Sequence, residues 1–238
     1  MNCAILLAAG SGARMGTSVE DKILFPIMEI PVICYSVKAF TDTKKFDSYM
    51  IVYRDEAQKE QILEVLPSAF INKYQLRFIK GGDSRQRSVF NALQELESLE
   101  EPPEYVAIHD AARPLIASDF ILKLLITAKK CQNAIPATKL SDTIKQVDDV
   151  ATGDSRLVHD LDRSKLRSVQ TPQIFDFSLI HLCYGKIFES NQNITDDSSA
   201  LTFSNIGINL VLNDQPNPKI TTKNDLGYIL YLLNQNPS

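Results

Sequence analysis

No cysteine of this chain belongs to a C-x-x-C pair: Cys3, Cys34, Cys131 and Cys183 lie far apart, so neither a zinc site nor a disulfide framework is suggested. They read as buried thiols in a reducing compartment. No apolar run approaches the ~20 residues of a membrane span. The apolar opening from Met1 to Ala9 lacks a basic leader and runs at once into glycines, so it reads as a strand and not a signal peptide, with the cytoplasm as the expected location. Basic excess is lacking too. Lys plus Arg number 25 against 29 Asp plus Glu, a formal charge of -4. A nucleic-acid partner, which needs a basic surface, is therefore not expected. Internal repeats and low-complexity tracts are absent from the sequence as well.

What remains is the composition of an ordinary globular protein, with 44% apolar and 23% charged residues. At 238 residues the chain suits a single α/β domain over its whole length, able to bury roughly 72% of its extended surface. Short β-rich runs alternate with amphipathic stretches of helical length through the first 140 residues, the pattern of βαβ units and a parallel sheet. Strands are predicted from Cys3 to Ala9, Tyr49 to Arg54, Gln75 to Lys80, Tyr105 to Asp110 and Ala134 to Lys139. Helices are predicted from Val32 to Phe40, Asp55 to Leu66, Arg85 to Leu99 and Ser118 to Cys131, with Ser118 and Thr222 as N-caps. Between Ser141 and Thr171 the pattern breaks into a stretch dense in Asp, Arg and Lys, which reads as a projecting β-hairpin or, from composition alone, a flexible surface loop. Helices from Phe177 to Glu189 and Leu226 to Leu233 flank a last strand near Ile208 to Leu212.

Polar, glycine-rich chemistry gathers at predicted strand ends, where ligands of open α/β sheets bind. The first strand empties into Gly10-Ser11-Gly12-Ala13-Arg14-Met15-Gly16, which fits neither the dinucleotide nor the P-loop fingerprint. It is either an ordinary turn or a loop offering backbone N–H groups, with Arg14 and Lys22 as cations, to a polyphosphate. Gly81-Gly82-Asp83-Ser84 opens a helix, and consecutive glycines let a planar group approach the backbone closely. A plain turn with Asp83 or Ser84 as cap fits equally. In His109-Asp110-Ala111-Ala112-Arg113-Pro114 a carboxylate stands at a central strand tip, placed for a divalent cation or sugar hydroxyls, or simply for pairing with Arg113. Thr195-Asp196-Asp197-Ser198-Ser199 also reads as a helix start, and Asn217-Pro218-Lys219-Ile220-Thr221 as a turn before one. His159 and His181 have no partner at metal-ligand or triad spacing.

Taken together, Leu7-Ala8-Ala9-Gly10-Ser11-Gly12-Ala13-Arg14-Met15-Gly16, Gly81-Gly82-Asp83, His109 to Pro114, Thr171-Pro172-Gln173, Thr195-Asp196-Asp197 and Lys219-Ile220-Thr221 resemble the 2-C-methyl-D-erythritol 4-phosphate cytidylyltransferases of non-mevalonate isoprenoid synthesis. The resemblance runs from residue 2 to about residue 230, and these segments in order are far more specific than any one of them. It implies a Rossmann-like nucleotidyltransferase fold with a mostly parallel sheet and a projecting β-arm. It also implies cytidylyl transfer from CTP to methylerythritol phosphate with Mg²⁺ bound. Carried over position by position, Arg14 and Lys22 become the catalytic cations. Ala8, Ala9, Gly10, Gly12, Gly82, Asp83, Ser88, Asp110 and Ala111 become CTP contacts, with Asp110 near the metal. Arg113, Thr195 and Lys219 become contacts to the second substrate. Residues 141 to 171 become an arm interlocking with a second subunit, so that a homodimer is expected, with Thr143, Arg163 and Thr171 reaching the partner's methylerythritol phosphate.

The clearest departure from the family pattern is Asp21 before Lys22, where proline is usual. An aspartate there frees the backbone and adds a negative charge beside a phosphate-binding cation, implying a looser loop and weaker CTP binding. The position of the glycine ahead of the Lys219 segment is taken by Asn213, which also tolerates a left-handed turn, and Ser198 replaces an alanine. Ribitol 5-phosphate cytidylyltransferase is the nearest rival, but Ala8-Ala9-Gly10, Ala111-Ala112-Arg113 and Thr195-Asp196-Asp197 follow the isoprenoid pattern. A CTP sensor without catalysis is the other alternative, and a sensor has no need of Arg14, Lys22, Asp110 and Lys219 together.

Overall fold

A computed structural model describes residues 1–10, 12, 21–148 and 157–235. Strand β1 (Asn2–Leu7) comes first, and a small antiparallel pair, β2 (Pro26–Ile27) and β3 (Ile30–Pro31), leads into α1 (Val32–Asp42). Then follow β4 (Ser48–Tyr53), α2 (Glu56–Val65), α3 (Ser68–Lys73), β5 (Gln75–Lys80), α4 (Arg85–Glu97), β6 (Tyr105–Asp110), α5 (Ser118–Cys131) and β7 (Asn133–Lys139). Next come β8 (Lys145–Val147), β9 (Leu157–Asp160), β10 (Arg167–Val169) and β11 (Gln173–Asp176). The last elements are α6 (Phe177–Glu189), α7 (Ser198–Phe203), β12 (Leu210–Leu212) and α8 (Lys223–Gln235).

Strands β5, β4, β1 and β6 lie side by side, all parallel. Every residue of β4 and β6 is buried, which is why these strands are apolar on both faces and not alternating. Two apolar layers result. Helices α1, α5 and α8 supply Phe40, Leu124 and Ile229 to one, and α4 and α6 supply Leu93 and Tyr184 to the other. Helix starts follow side-chain chemistry: Asp55 accepts from Gln58 N at 2.9 Å, Ser84 from Arg87 N at 3.1 Å and Asp176 from Leu179 N at 3.0 Å. The sequence expectation fails at α5, where Ser118 is the first helical residue and Ala117 takes the cap position without a side-chain bond. At α8, Asp225 makes the cap by accepting from the backbone N–H groups of Thr221 and Thr222 at 2.8 and 2.7 Å, and the Thr222 hydroxyl donates to the same carboxylate.

Beyond β6 the sheet turns mixed. Strand β11, which the sequence did not reveal, inserts antiparallel between β6 and β7, while β12 joins β7 in parallel. Strand β10 pairs antiparallel with β7 from Arg167 opposite Lys139 to Val169 opposite Ala137. Residues 167–169 therefore belong to the main sheet, and the excursion expected over 141–171 ends earlier than its pattern suggested. Strands β8 and β9 pair antiparallel as a separate two-stranded sheet. Among the described residues no helix is long and apolar enough to cross a membrane.

Candidate active site

The register of β1 against β6 sets Leu7 opposite Asp110, and the Ala111 amide closes this corner by donating to Leu7 O at 3.1 Å. The connection after β1 crosses to β4 and that of β6 runs the other way, so the crevice between them is the switch point of the sheet. A cleft of about 500 Å³ opens there, lined by Ala8, Ala9, Gly10, Gly12, Lys22, Gly82, Asp83, Asp110 and Lys219 from the sequence-predicted set, with Arg54, Ser84 and Arg85 added. A second cleft, of about 350 Å³, holds Arg113, Thr171, Thr195, Asp196 and Ser198. Arg85, Asp110 and Lys219 line both and form the wall between them.

Close approach shapes the first cleft. A Cβ on Gly81 would sit 2.9 Å from both Ala9 Cβ and Ser88 Oγ, and one on Gly82 would fall 2.1 Å from Arg87 Cγ. Ser88, expected as a CTP contact, is buried and faces inward: its hydroxyl accepts from Gly82 N at 3.0 Å and donates to Ser84 O at 2.8 Å. It braces the glycine turn. Ala111 is fully buried and lines neither cleft. Lys22 lies across Gly10, with its Nζ 3.8 Å from where a Cβ would stand, and donates to Ile220 O at 3.4 Å.

Asp21 is tied into the fold behind the cleft. Its buried carboxylate turns away from the cleft, accepting from Ile23 N at 3.0 Å, Gln58 Nε2 at 2.6 Å and Arg54 Nη1 at 3.1 Å. Gln58 in turn donates to Ala8 O at 3.1 Å. The aspartate thus ties the residues around Lys22 to the ends of β1 and β4.

Asp110 receives Lys219 Nζ at 2.7 Å and Arg85 Nε at 3.3 Å, with Arg113 Nε at 3.8 Å. Burial by itself would raise its carboxyl pKa, but Arg85, Lys219 and Arg113 outweigh that and hold it well below the usual carboxylate range. Arg85, for which the sequence suggested no role, is clamped from behind: Asp197 accepts two bonds from its guanidinium at 2.8 and 2.7 Å, and a third from Tyr184 OH at 2.6 Å. Burial alone would lower the Arg85 pKa, yet Asp197 and Asp110 lift it well above normal. Asp196 is a scaffold, accepting from Gln173, Ser198 and Ser199 at the start of α7. Arg113 Nε is buried without a hydrogen-bond partner, and Arg113 Nη1 donates to Asn217 O at 2.7 Å.

His109, also unassigned from sequence, is fully buried under Asp110, and burial pushes its pKa down to about 4. Thr171 lines the second cleft, and its hydroxyl accepts from Asp110 N at 3.0 Å. Thr195 stands exposed at the rim of the second cleft. Thr143 and Arg163 are exposed and line neither cleft, and Arg163 donates to Ser141 O. Arg14 lies outside the described residues.

An open α/β sheet with two clefts meeting at a charged wall over its switch point places the chain among Rossmann-like ligand-binding folds. Known proteins narrow the class. The family model for 2-C-methyl-D-erythritol 4-phosphate cytidylyltransferase (IspD) matches residues 2–235, and the chain belongs to that family. It is 36% identical over 240 residues to a Clostridium botulinum protein of that name, covering 99% of this chain and 100% of the other. A Clostridium beijerinckii protein, also so named, is 35% identical and covers 95% of each chain. The crystal structure of 4-diphosphocytidyl-2C-methyl-D-erythritol synthase from Anaerococcus prevotii superposes with a TM-score of 0.77 at 28% identity, covering 98% of both chains.

Proposed function

We propose that the two clefts divide the family reaction between them, CTP lying against Gly10, Gly82 and Lys22 and methylerythritol phosphate against Arg113, Thr195 and Lys219. The reaction is transfer of a cytidylyl group from CTP to 2-C-methyl-D-erythritol 4-phosphate, giving 4-diphosphocytidyl-2-C-methyl-D-erythritol and pyrophosphate. The observation that carries the division is the shared wall of Arg85, Asp110 and Lys219, since two phosphate-bearing substrates must meet at one charged boundary.

A phosphate oxygen of methylerythritol phosphate attacks the α-phosphorus in line, the new P–O bond forms, and the bond to the β-phosphate oxygen breaks as pyrophosphate leaves. Such transfers depend on positioning and on stabilising developing charge. Lys22 and Arg14 are the cations assigned to that charge, and Lys219 orients the attacking phosphate. Gly82, Asp83 and the backbone of Ala8 and Ala9 frame the cytosine. A divalent cation fits the donor set. Among the described residues no cluster of three His, Cys, Asp or Glu could hold a metal, and Asp110, which lines both clefts, is the carboxylate assigned to it, with Asp83 beside it in the first. Mg²⁺ is commonly held by one or two carboxylates plus substrate phosphates and water. When bound, it neutralises phosphate charge.

The arm of residues 141–171 is assigned to a homodimer contact, with Thr143, Arg163 and Thr171 serving the partner's second cleft. Support for this comes from the exposure of Thr143 and Arg163 and from a hairpin standing apart from the main sheet. The four free cysteines accord with the cytoplasm as place of work.

The test is pyrophosphate release with CTP and Mg²⁺, offering methylerythritol 4-phosphate and ribitol 5-phosphate separately. Turnover with the former alone is expected, and turnover with ribitol phosphate overturns the substrate assignment. Arg163→Ala should raise KM for methylerythritol phosphate and leave CTP affinity intact, while sedimentation should give a dimer. A fully active monomer refutes the shared site.

A further inference from the structure

His109 is buried against Phe40, with ring centroids 5.5 Å apart, yet both its nitrogens meet polar partners. Nε2 lies 3.2 Å from Arg113 O and 3.4 Å from Ser36 Oγ, and Nδ1 lies 3.2 Å from Thr171 Oγ1. The Ser36 hydroxyl donates to Ala111 O at 3.3 Å, and Asp110 N donates to Thr171 Oγ1 at 3.0 Å.

Donor and acceptor counting fixes the hydrogens. A carbonyl oxygen only accepts, so the contact with Arg113 O requires a hydrogen on Nε2. In a neutral ring Nδ1 is then an acceptor, and the hydrogen it meets is that of the Thr171 hydroxyl. The hydroxyl oxygen is left to accept from Asp110 N. With the opposite tautomer the Nε2 lone pair would face the lone pairs of Arg113 O, an arrangement that is costly for a fully buried ring.

Building on the site reading given above, we propose that His109 is a positioning residue, whose Nδ1 turns the Thr171 hydroxyl so that it holds the Asp110 amide and thereby sets the strand end presenting the Asp110 carboxylate to both clefts. The Thr171 hydrogen is spent inside the protein. Substrate meets at most a lone pair of that oxygen, and Thr171 acts chiefly through Asp110.

Two substitutions of His109 separate the roles of its nitrogens. In His109→Asn the amide oxygen falls near Nδ1 and keeps an acceptor for Thr171, whereas in His109→Gln the amide nitrogen falls near Nε2 and keeps only the donor to Arg113 O. Turnover should fall roughly 10- to 100-fold in His109→Gln and in Thr171→Val, the usual range for loss of a group that orients a ligand-binding side chain. His109→Asn and Thr171→Ser should recover most of that loss. Equal activity of the Asn and Gln variants, or retention in Thr171→Val, overturns the proposal.

An arm free of any folding defect uses the wild-type protein. With ¹⁵N-labelled histidine, a long-range ¹H–¹⁵N spectrum should show His109 as the Nε2–H tautomer, and the Nδ1–H tautomer overturns the proposal. Asp110→Asn separates the two levels. Retained turnover there defeats the site reading itself, while lost turnover with equal Asn and Gln variants at position 109 defeats only the role of His109.

Discussion

Replacing Arg85 by methionine tests how the wall between the clefts is held. Asp197 has a fully buried side chain and takes two of its three hydrogen bonds from Arg85, leaving only Tyr184 OH when the guanidinium is removed. Breaking a buried pair by deleting one partner costs about 3–5 kcal/mol, because the surviving charge is left without compensation. For a chain of this length each kcal/mol moves Tm by about 2–4 °C, so Arg85→Met should melt roughly 6–20 °C below the wild type. The reciprocal change, Asp197→Asn, should cost less. Arg85 is 31% exposed and keeps Asp110, and the new amide can still accept from Tyr184. The double variant should be no less stable than Arg85→Met alone, since both members of the pair are then gone. Melting followed by circular dichroism at fixed pH and salt measures all four proteins. A loss below about 1 kcal/mol in Arg85→Met, set against that range, or strictly additive losses in the double variant, would refute the reasoning.

Lys22→Ala should lower kcat about 100- to 1,000-fold while changing CTP affinity far less, as befits a group that stabilises charge in the transition state; equal losses in steady-state kinetics and calorimetry would make it a binding residue only. Gly82→Ala puts a Cβ 2.1 Å from Arg87 Cγ, and overpacking of about 1–3 kcal/mol should appear as CTP binding weakened tenfold or more, so unchanged affinity by calorimetry would count against the close approach. Since burial depresses His109 to about 4 while an unfolded histidine titrates near 6.5, the unfolded chain binds the extra proton between those values; unfolding free energy of chelator-treated protein should therefore fall by about 3 kcal/mol as pH drops from about 6.5 to 4, and a flat profile would contradict the burial. A thiol reagent should modify Cys131 alone in the native protein and all four cysteines after denaturation, because Cys3, Cys34 and Cys183 are buried and burial pushes Cys3 up to about 12.

Local chemistry was legible wherever it was strong. The helix from Phe177 to Glu189 and the strands from Gln75 to Lys80 and Tyr105 to Asp110 have the ends their periodicity and caps imply. Strand β11 was not legible, since Gln173–Asp176 is too short to show a period and is held by β6 and β7 on either side. The same limit explains the site. Gly81, Gly82 and Asp110 announce themselves as strand-end residues, but Arg85 acquires its role from Asp197, 112 positions away. The partners of Asp21, Gln58 and Arg54, were equally hidden because they come from another βα unit. His109 escaped notice because spacing tests look for metal ligands and triads, whereas its partners are a hydroxyl and a carbonyl brought in by the fold.

These hidden contacts share a logic that bears on catalysis. The protein carries a net negative charge, yet cations face the first cleft, and three of them have a buried carboxylate behind or beside them: Arg54 has Asp21, Arg85 has Asp197 and Lys219 has Asp110. A cation held only by solvent would have to be collected and desolvated as the triphosphate arrives. One already fixed by an internal carboxylate incurs that cost during folding, and it meets the developing charge without reorganising. Asp110 differs from the other two acids because it stands in the wall itself and is shared by Lys219, Arg85 and Arg113. Turning this one carboxylate would disturb three cations at once, which makes its orientation more consequential than that of Asp21 or Asp197.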